Sequence, residues 1–262
     1  YAIRRGDGGR MPELDPILWV AVLAVAIFAG VVKGAVGFAM PMILISGLGT
    51  FLAPEVALAA LILPTAASNV WQSARGGLGK AFDAAKAHRL YIAIVLVMIL
   101  LSAQVVLLLP DRVAFLVIGV PITAFAATQL LGWRPRIGPR MRRPAEIGIG
   151  LLAGTMGGIS GTWGPPTVLY LTALETPKRE FVQVQGVVYG LGAVVLLVGH
   201  LNSGVFTAER AQLSALICLP AGLGMLAGFW LQDRLDQERF RAITLAVLVV
   251  AGVNLIRRGI FV

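Results

Sequence analysis

A chain of 262 residues with 58% hydrophobic and only 13% charged residues lies far from the balance of a soluble domain. Its net charge of +9 invites a nucleic-acid reading, but the basic residues sit in short segments between apolar runs, where a membrane protein carries its cytoplasmic charge, so no nucleic-acid partner is expected. The single cysteine, Cys218, falls inside an apolar run and excludes a disulfide framework and a cysteine-based metal site. No cofactor is expected either.

In chain order, residues 1–15 form a polar, glycine-rich tail, and those before Met11 read as disordered or as lying upstream of the native start. Runs without Asp, Glu, Lys or Arg then cover Ile17–Val32, Gly34–Ala53, Val56–Ala74, Leu90–Pro110, Val113–Trp133, Ile147–Leu174, Phe181–Ala208, Ala211–Gln232 and Ala242–Ile256. A helix of roughly 20 residues crosses a bilayer, so most of these runs can span it. The last is short, with Arg257 and Arg258 placed to snorkel to the headgroups. A buried soluble helix explains one such run but not the whole series. Ile17–Val32 has no small-residue cleavage site after it, so it reads as a span and not as a signal peptide.

The first two apolar runs, taken together, share a frame with the sixth. Gly30, Gly34, Gly37 and Pro41 read G-x3-G-x2-G-x3-P, and Gly154, Gly158, Gly161 and Pro165 repeat that spacing 124 residues later, each copy preceded by an alanine (Ala29, Ala153). Glycine lets backbones approach closely, and proline removes a donor and interrupts the helical ladder. Paired broken helices at matching places in two halves point to a carrier's substrate site. The chain therefore divides into a tail (1–15), a first transmembrane repeat (16–133), a basic linker (134–144) and a second repeat (145–262). The expected fold is an all-α integral membrane protein with two pseudo-symmetric repeats. Each repeat has a broken Gly/Pro helical hairpin followed by three transmembrane helices.

Loop charge bears on orientation. Residues 75–89 carry Arg75, Lys80, Lys86 and Arg89, and the linker carries Arg134, Arg136, Arg140, Arg142 and Arg143. One hairpin, Leu90–Trp133, separates them and is expected to turn at Pro110-Asp111-Arg112, which puts both basic segments on the cytoplasmic side. Ile17–Ala53 is too long for one helix and reads as two arms that begin and end on one face. Each half then makes three full crossings, the repeats are inverted, and Lys178, Arg179, Arg234, Arg239 and Arg241 fall inside as well. If the broken stretch crosses once instead, the repeats are parallel and the termini cytoplasmic.

Lys33 is the one formal charge within the apolar regions, at a cost of about 2.5–3.5 kcal/mol near a helix centre. It is either a lysine near a helix end that snorkels to the interface or a cationic anchor for an anionic cargo. Its counterpart in the second copy is Gly157. Helices restarting near Pro41 and Pro165 expose unpaired amides and positive dipole ends, which suit a small anion. The candidate substrate-binding residues are Lys33, Gly34, Gly37 and Pro41 in the first frame and Gly158, Ser160, Gly161, Thr162, Trp163 and Pro165 in the second. Asn69 and Gln72 come from the helix after the first frame, and Gln183, Gln185 and Tyr189 from its counterpart. These polar groups serve equally well as hydrogen bonds between helices, about 1 kcal/mol each. The acidic residues lie at segment ends, in loops or in the tail, which argues against a proton pump built on a buried carboxylate relay.

The duplicated frame, with Gly37-Phe38-x2-Pro41, Gly157-Gly158-Ile159-Ser160-Gly161 and Gly164-Pro165-Pro166, and the Pro64…Asn69 helix resemble the TauE/SafE family of sulfite exporters and sulfonate permeases. The resemblance covers Ile17 to Ile256. It implies a multi-pass permease of the bacterial cytoplasmic membrane for a sulfur-containing oxyanion, sulfite or an organosulfonate such as sulfoacetate. It implies no enzyme activity. Lys33 is not carried over from the family and stands on the physical argument alone. The partners expected are the small anion and the lipid bilayer, and a homodimer is compatible with such a chain. Two rivals remain. Gly158-Ile159-Ser160-Gly161 matches the G-x-S-G serine motif of rhomboid-like intramembrane proteases, with His200 on a later span, although the first frame has Val36 in place of Ser160. An anion channel would use the same glycine-rich breaks.

Overall fold

The computed structural model describes residues 15–75, 86–133, 135–232, 234 and 236–261. Residues 1–14, Lys80 and Arg134 lie outside them. Among the described residues the regular structure is helical throughout, as hydrocarbon requires of a chain that must satisfy its own backbone. The first half holds α1 (Pro16–Val36), α2 (Met40–Leu48), α3 (Pro54–Arg75), α4 (Arg89–Ala103) and α5 (Asp111–Leu130). The second holds α6 (Arg142–Ser160), α7 (Gly164–Ala173), α8 (Lys178–Ser203), α9 (Ala208–Gln232) and α10 (Gln237–Phe261). Helices α1, α5, α8, α9 and α10 are long and apolar enough to cross a membrane, and α4 is a shorter apolar helix. Leu219 and Val250 are 70% and 71% exposed, an ordinary surface against lipid tails and a liability in water. This is a multi-pass membrane protein.

Two local expectations shift. The final helix runs well beyond Ala242–Ile256, because its charged flanks continue the same helix at both ends. The chain between α4 and α5 reverses over residues 104–110, through a short 3-10 turn at Val106–Leu108. Pro110 is the N-cap of α5, and Asp111 and Arg112 belong to its first turn, where proline's fixed φ and an acidic residue both favour helix entry.

The four positions of the glycine frame have separate tasks. A Cβ on Gly30 or Gly34 would collide with backbone of α9 at Ala221, Met225 and Gly228, and Gly224 and Gly228 return the contact against Ile27 and Val31. In the second copy Gly154 and Gly158 sit the same way against Val95, Ile99 and Ser102 of α4. The third glycine ends the long helix. Gly37 has φ 83° and Gly161 φ 70°, the left-handed C-cap geometry that a Cβ disfavours, and their amides donate to Lys33 O and Gly157 O. The proline then occupies the first turn of the short helix, where its missing N–H breaks no bond.

Contacts fix the course of the chain. Gly47 of α2 packs on Val25 of α1, so α2 folds back along α1. Ile137 N, just before α6, donates to Ala173 O at the end of α7, so that pair also returns to the level at which it began. Arg142 reaches Ala87 O (3.4 Å), Arg136 pairs with Glu175 (2.9 Å) and Arg241 meets Gln129 (2.7 Å). One end of the bundle thus gathers the starts of α4, α6, α8 and α10. At the other end, the guanidinium of Arg258 donates to Gly49 O and Leu52 O and lies over Phe115 near the start of α5. The hairpin α1–α2 opens at that second end and α6–α7 at the first. Across the halves, α1 packs on α9 and α4 on α6, while α3 packs on α8 and α5 on α10.

Pro64 lies inside α3 and cannot donate to Ala60 O. The hydroxyl of Ser214 on α9 donates to that carbonyl (3.0 Å) and accepts from Leu63 N (3.0 Å), closing the gap with a side chain from the other half. Replacing Gly34 by leucine should therefore separate α1 from α9 and cost roughly 3 kcal/mol or more. Gly148→Ala, at an open position on α6, should be neutral or slightly stabilising. Melting of the two variants in detergent, followed by size-exclusion chromatography, checks both.

Candidate functional site

The two breaks meet inside the bundle. A small cavity, about 320 Å³ of unfilled space counting its mouth, is lined by Lys33, Phe38, Ala39, Pro41 and Met42 from the first break. Gly161, Thr162, Trp163, Gly164 and Pro165 line it from the second, with Asn69 of α3 and Tyr189 of α8 between them.

Lys33 sits on the last turn of α1 and is only 3% exposed. Its Nζ donates to Asn69 Oδ1 at 2.7 Å and lies 5.3 Å from the centroid of the Tyr189 ring. A lysine that snorkels would carry its ammonium outward; this one points it into the protein. Among the described residues no carboxylate pairs with it. At Gly157, its counterpart, a Cβ would come within 2.8 Å of the Ile99 side chain and 3.2 Å of Trp163 Cβ, so a lysine there would have to displace both.

The remaining lining is polar at a few points. Trp163 is buried, its indole N–H has no hydrogen-bond partner among the described residues, and its ring meets Tyr189 edge-on (6.4 Å between centroids). Gln185 donates to the Tyr189 hydroxyl at 3.1 Å, so it acts on the cavity through that ring. The first turn of α2 has amides at Met40 and Met42 that a helix cannot satisfy internally, and no side chain caps them. At α7 the tandem Pro165-Pro166 removes two such donors, leaving Gly164 as the amide at the helix start. Anion-binding donors are thus richer on the first break than the symmetric motif implies.

Of the sequence-derived candidates, Lys33, Pro41, Asn69, Gly161, Thr162, Trp163, Pro165 and Tyr189 line the cavity. Gly34 and Gly158 do not, because both are spent on helix crossings. Gly37 forms the cap and faces Gln72, whose amide nitrogen would lie 3.8 Å from a Cβ at Gly37, outside the cavity wall. Ser160 donates to Met156 O (2.7 Å) and shares a 2.5 Å contact with Thr162, so it supports the wall from behind. Gln183 is half-buried and absent from the lining. Phe38, Ala39, Met42 and Gly164 line it without having been singled out. The frame's spacing held a clue to Ala39, which takes φ 75° as the N-cap of α2, but an alanine in that conformation has no signature of its own.

The serine-protease arrangement is not formed. Ser160 bonds within its own helix end, and His200 Nδ1 pairs with Ser203 (3.3 Å), not with Ser160. Among the described residues no cluster of His, Cys, Asp or Glu could hold a metal ion.

A second polar cluster, not expected from the spacing of its members, lies at the basic end. The Tyr170 hydroxyl donates to buried Glu146 (3.0 Å) and contacts His88 Nδ1 (3.0 Å), while His88 Nε2 faces Glu180 (3.3 Å) and Arg142 faces Glu146 (3.3 Å). It joins the start of α4 to α6, α7 and α8.

A helical bundle with two converging broken helices and one buried cation between them defines a membrane protein built around an internal polar site. The chain matches the family model described as Sulfite exporter TauE/SafE over residues 22–255, and it belongs to that family. It is thereby a membrane transporter of the sulfite and sulfonate exporter type. Comparison with curated proteins and with solved structures gave no match.

Burial holds the His88 imidazole below its usual value of 6.5, with Glu180 opposing the shift. The unfolded chain takes up that proton at 6.5 and the folded chain only at lower pH. His88 therefore contributes stability that is complete above 6.5 and is lost as pH falls below it. Melting temperatures in detergent between about pH 7.5 and about pH 5 should fall more steeply for the wild type than for His88→Gln.

Proposed function

We propose that the protein is a carrier for a small sulfur-containing oxyanion, sulfite or an organosulfonate such as sulfoacetate, in the bacterial cytoplasmic membrane. The observation that carries this reading is the Lys33 ammonium, enclosed where the two breaks join and, among the described residues, meeting the neutral groups of Asn69 and Tyr189. A small anion in the cavity would complete its pairing. The amides at the start of α2 would then bind the oxygens, and Asn69 would hold Lys33 in position. The apolar walls from Phe38, Met42 and Pro165 dry the site, which strengthens those bonds.

The halves are read as inverted repeats that work by alternating access. Support comes from the hairpins α1–α2 and α6–α7 opening at opposite ends, and from helix pairings that exchange when the halves are exchanged. The end bearing Lys86, Arg89, Arg136, Arg140, Arg142 and Arg143 faces the cytoplasm. With the cytoplasm negative, each net negative charge that leaves gains ~2.3 kcal/mol per 100 mV, so export is the favoured direction.

Proteoliposomes loaded with sulfite and monitored for its release test this directly. Saturable release that chloride does not inhibit is expected. Lys33→Ala should raise the apparent KM about tenfold or more, as befits a lost charged hydrogen bond. Asn69→Asp should abolish release by giving Lys33 an internal counter-charge that competes with the cargo. Unchanged release in both variants would remove the cavity from the transport path.

A further inference from the structure

On the carrier reading above, we infer that the site selects its cargo by charge number. It takes a sulfur oxyanion with one negative charge on a compact head, and it rejects a sulfonate that bears a second charged group, carboxylate or ammonium. Sulfite is then bound as hydrogensulfite, and of the organosulfonates only those with an uncharged tail fit.

Lys33 is the one cation among the described residues that line the cavity, and none of those residues is acidic. The polar side chains of the lining are engaged within the protein. Asn69 Oδ1 accepts from Lys33 Nζ (2.7 Å), the Thr162 hydroxyl meets that of Ser160 (2.5 Å), and Gln185 donates to the Tyr189 hydroxyl (3.1 Å). The Nε1 edge of the Trp163 indole packs on Gly192 of α8, 3.0 Å from where a Cβ would stand. Phe38, Ala39, Pro41, Met42 and Pro165 complete the wall with apolar surface.

The two halves contribute opposite chemistry. With the 124-residue offset of the glycine frame, Lys33 corresponds to Gly157 and Asn69 to Ala193, while Trp163 corresponds to Ala39 and Tyr189 to Thr65. The first half thus supplies the cation and its amide, and the second supplies two rings. An anionic head at Lys33 and the start of α2 therefore has rings and prolines for its tail. One ammonium neutralises one negative charge. The carboxylate of sulfoacetate would enter this wall without a cation, and the ammonium of taurine would enter without a carboxylate and oppose Lys33. Either charge gives up its hydration with nothing to replace it. An uncharged tail has no such loss and gains apolar contact.

Ethanesulfonate, taurine and sulfoacetate test this, because they share a two-carbon sulfonate skeleton and differ in the charge at its far end. Calorimetry on the purified protein in detergent near neutral pH, with sulfite as the reference, gives the four affinities. Sulfite and ethanesulfonate should bind, with taurine and sulfoacetate at least about tenfold weaker. Phe38→Lys adds a second cation to the wall and should tighten sulfoacetate by about tenfold or more while taurine stays rejected. Wild-type protein that binds taurine or sulfoacetate as tightly as ethanesulfonate would overturn the inference and leave the anion site standing. Rejection of ethanesulfonate along with the other two would also overturn it, since size and not charge would then set the limit. So would a Phe38→Lys protein that still binds sulfite but gains nothing with sulfoacetate. Absence of binding for all four, sulfite included, would overturn the carrier reading and the inference with it.

Discussion

A helix can be interrupted inside a hydrocarbon layer only where protein takes over the work of water. Each interruption frees backbone groups that cost several kcal/mol if left facing lipid. That constraint organises this molecule. The helix ends at Gly37 and Gly161 are closed by left-handed caps, and the restarts use proline, which has no amide to leave unpaired. The preceding glycines draw a helix of the other half into backbone contact, which seals each break from outside. Even the lesser fault at Pro64 is repaired by Ser214 from across the bundle. Neither half can be whole alone, because the groups that satisfy one come from the other.

The site follows from the same arrangement. Breaks that must face protein also face each other, and the space between them brings the start of α2, Trp163 and Lys33 together. The symmetry of the frame does not extend to chemistry. Lys33 occupies the first break, whereas the equivalent position beside the second is Gly157, closely packed by Ile99 and Trp163. One cation in a two-fold scaffold suits a single small anion better than two. The tandem prolines of the second break shift donor capacity further towards the first.

The broad architecture was legible because glycine and proline have backbone chemistry that no other residue shares, so their spacing carries conformation directly. Lys33 stood out for a similar reason, since a charge in an apolar run has few explanations. What stayed hidden depends on partners distant in the chain. Gly34 and Gly37 look alike in sequence, yet one packs on α9 and the other caps α1, and only the position of Met225 and Gly228 separates them. Gln183 and Gln185 are two residues apart on one helix. Helical rotation directs only Gln185 to the Tyr189 hydroxyl. The cluster of His88, Glu146, Tyr170 and Glu180 draws on four helices, and each residue alone reads as an ordinary interfacial group.

The central claim is that an oxyanion lies against Lys33 between the two breaks. Selenite has the shape and charge of sulfite and a strong anomalous signal, so a crystal of the protein grown with it would place the anion without ambiguity. An anomalous peak within hydrogen-bond reach of Lys33 Nζ, flanked by Met42 and Trp163, is the expected result. A peak confined to the arginines at the bundle ends, in a protein that binds selenite in solution, would contradict it.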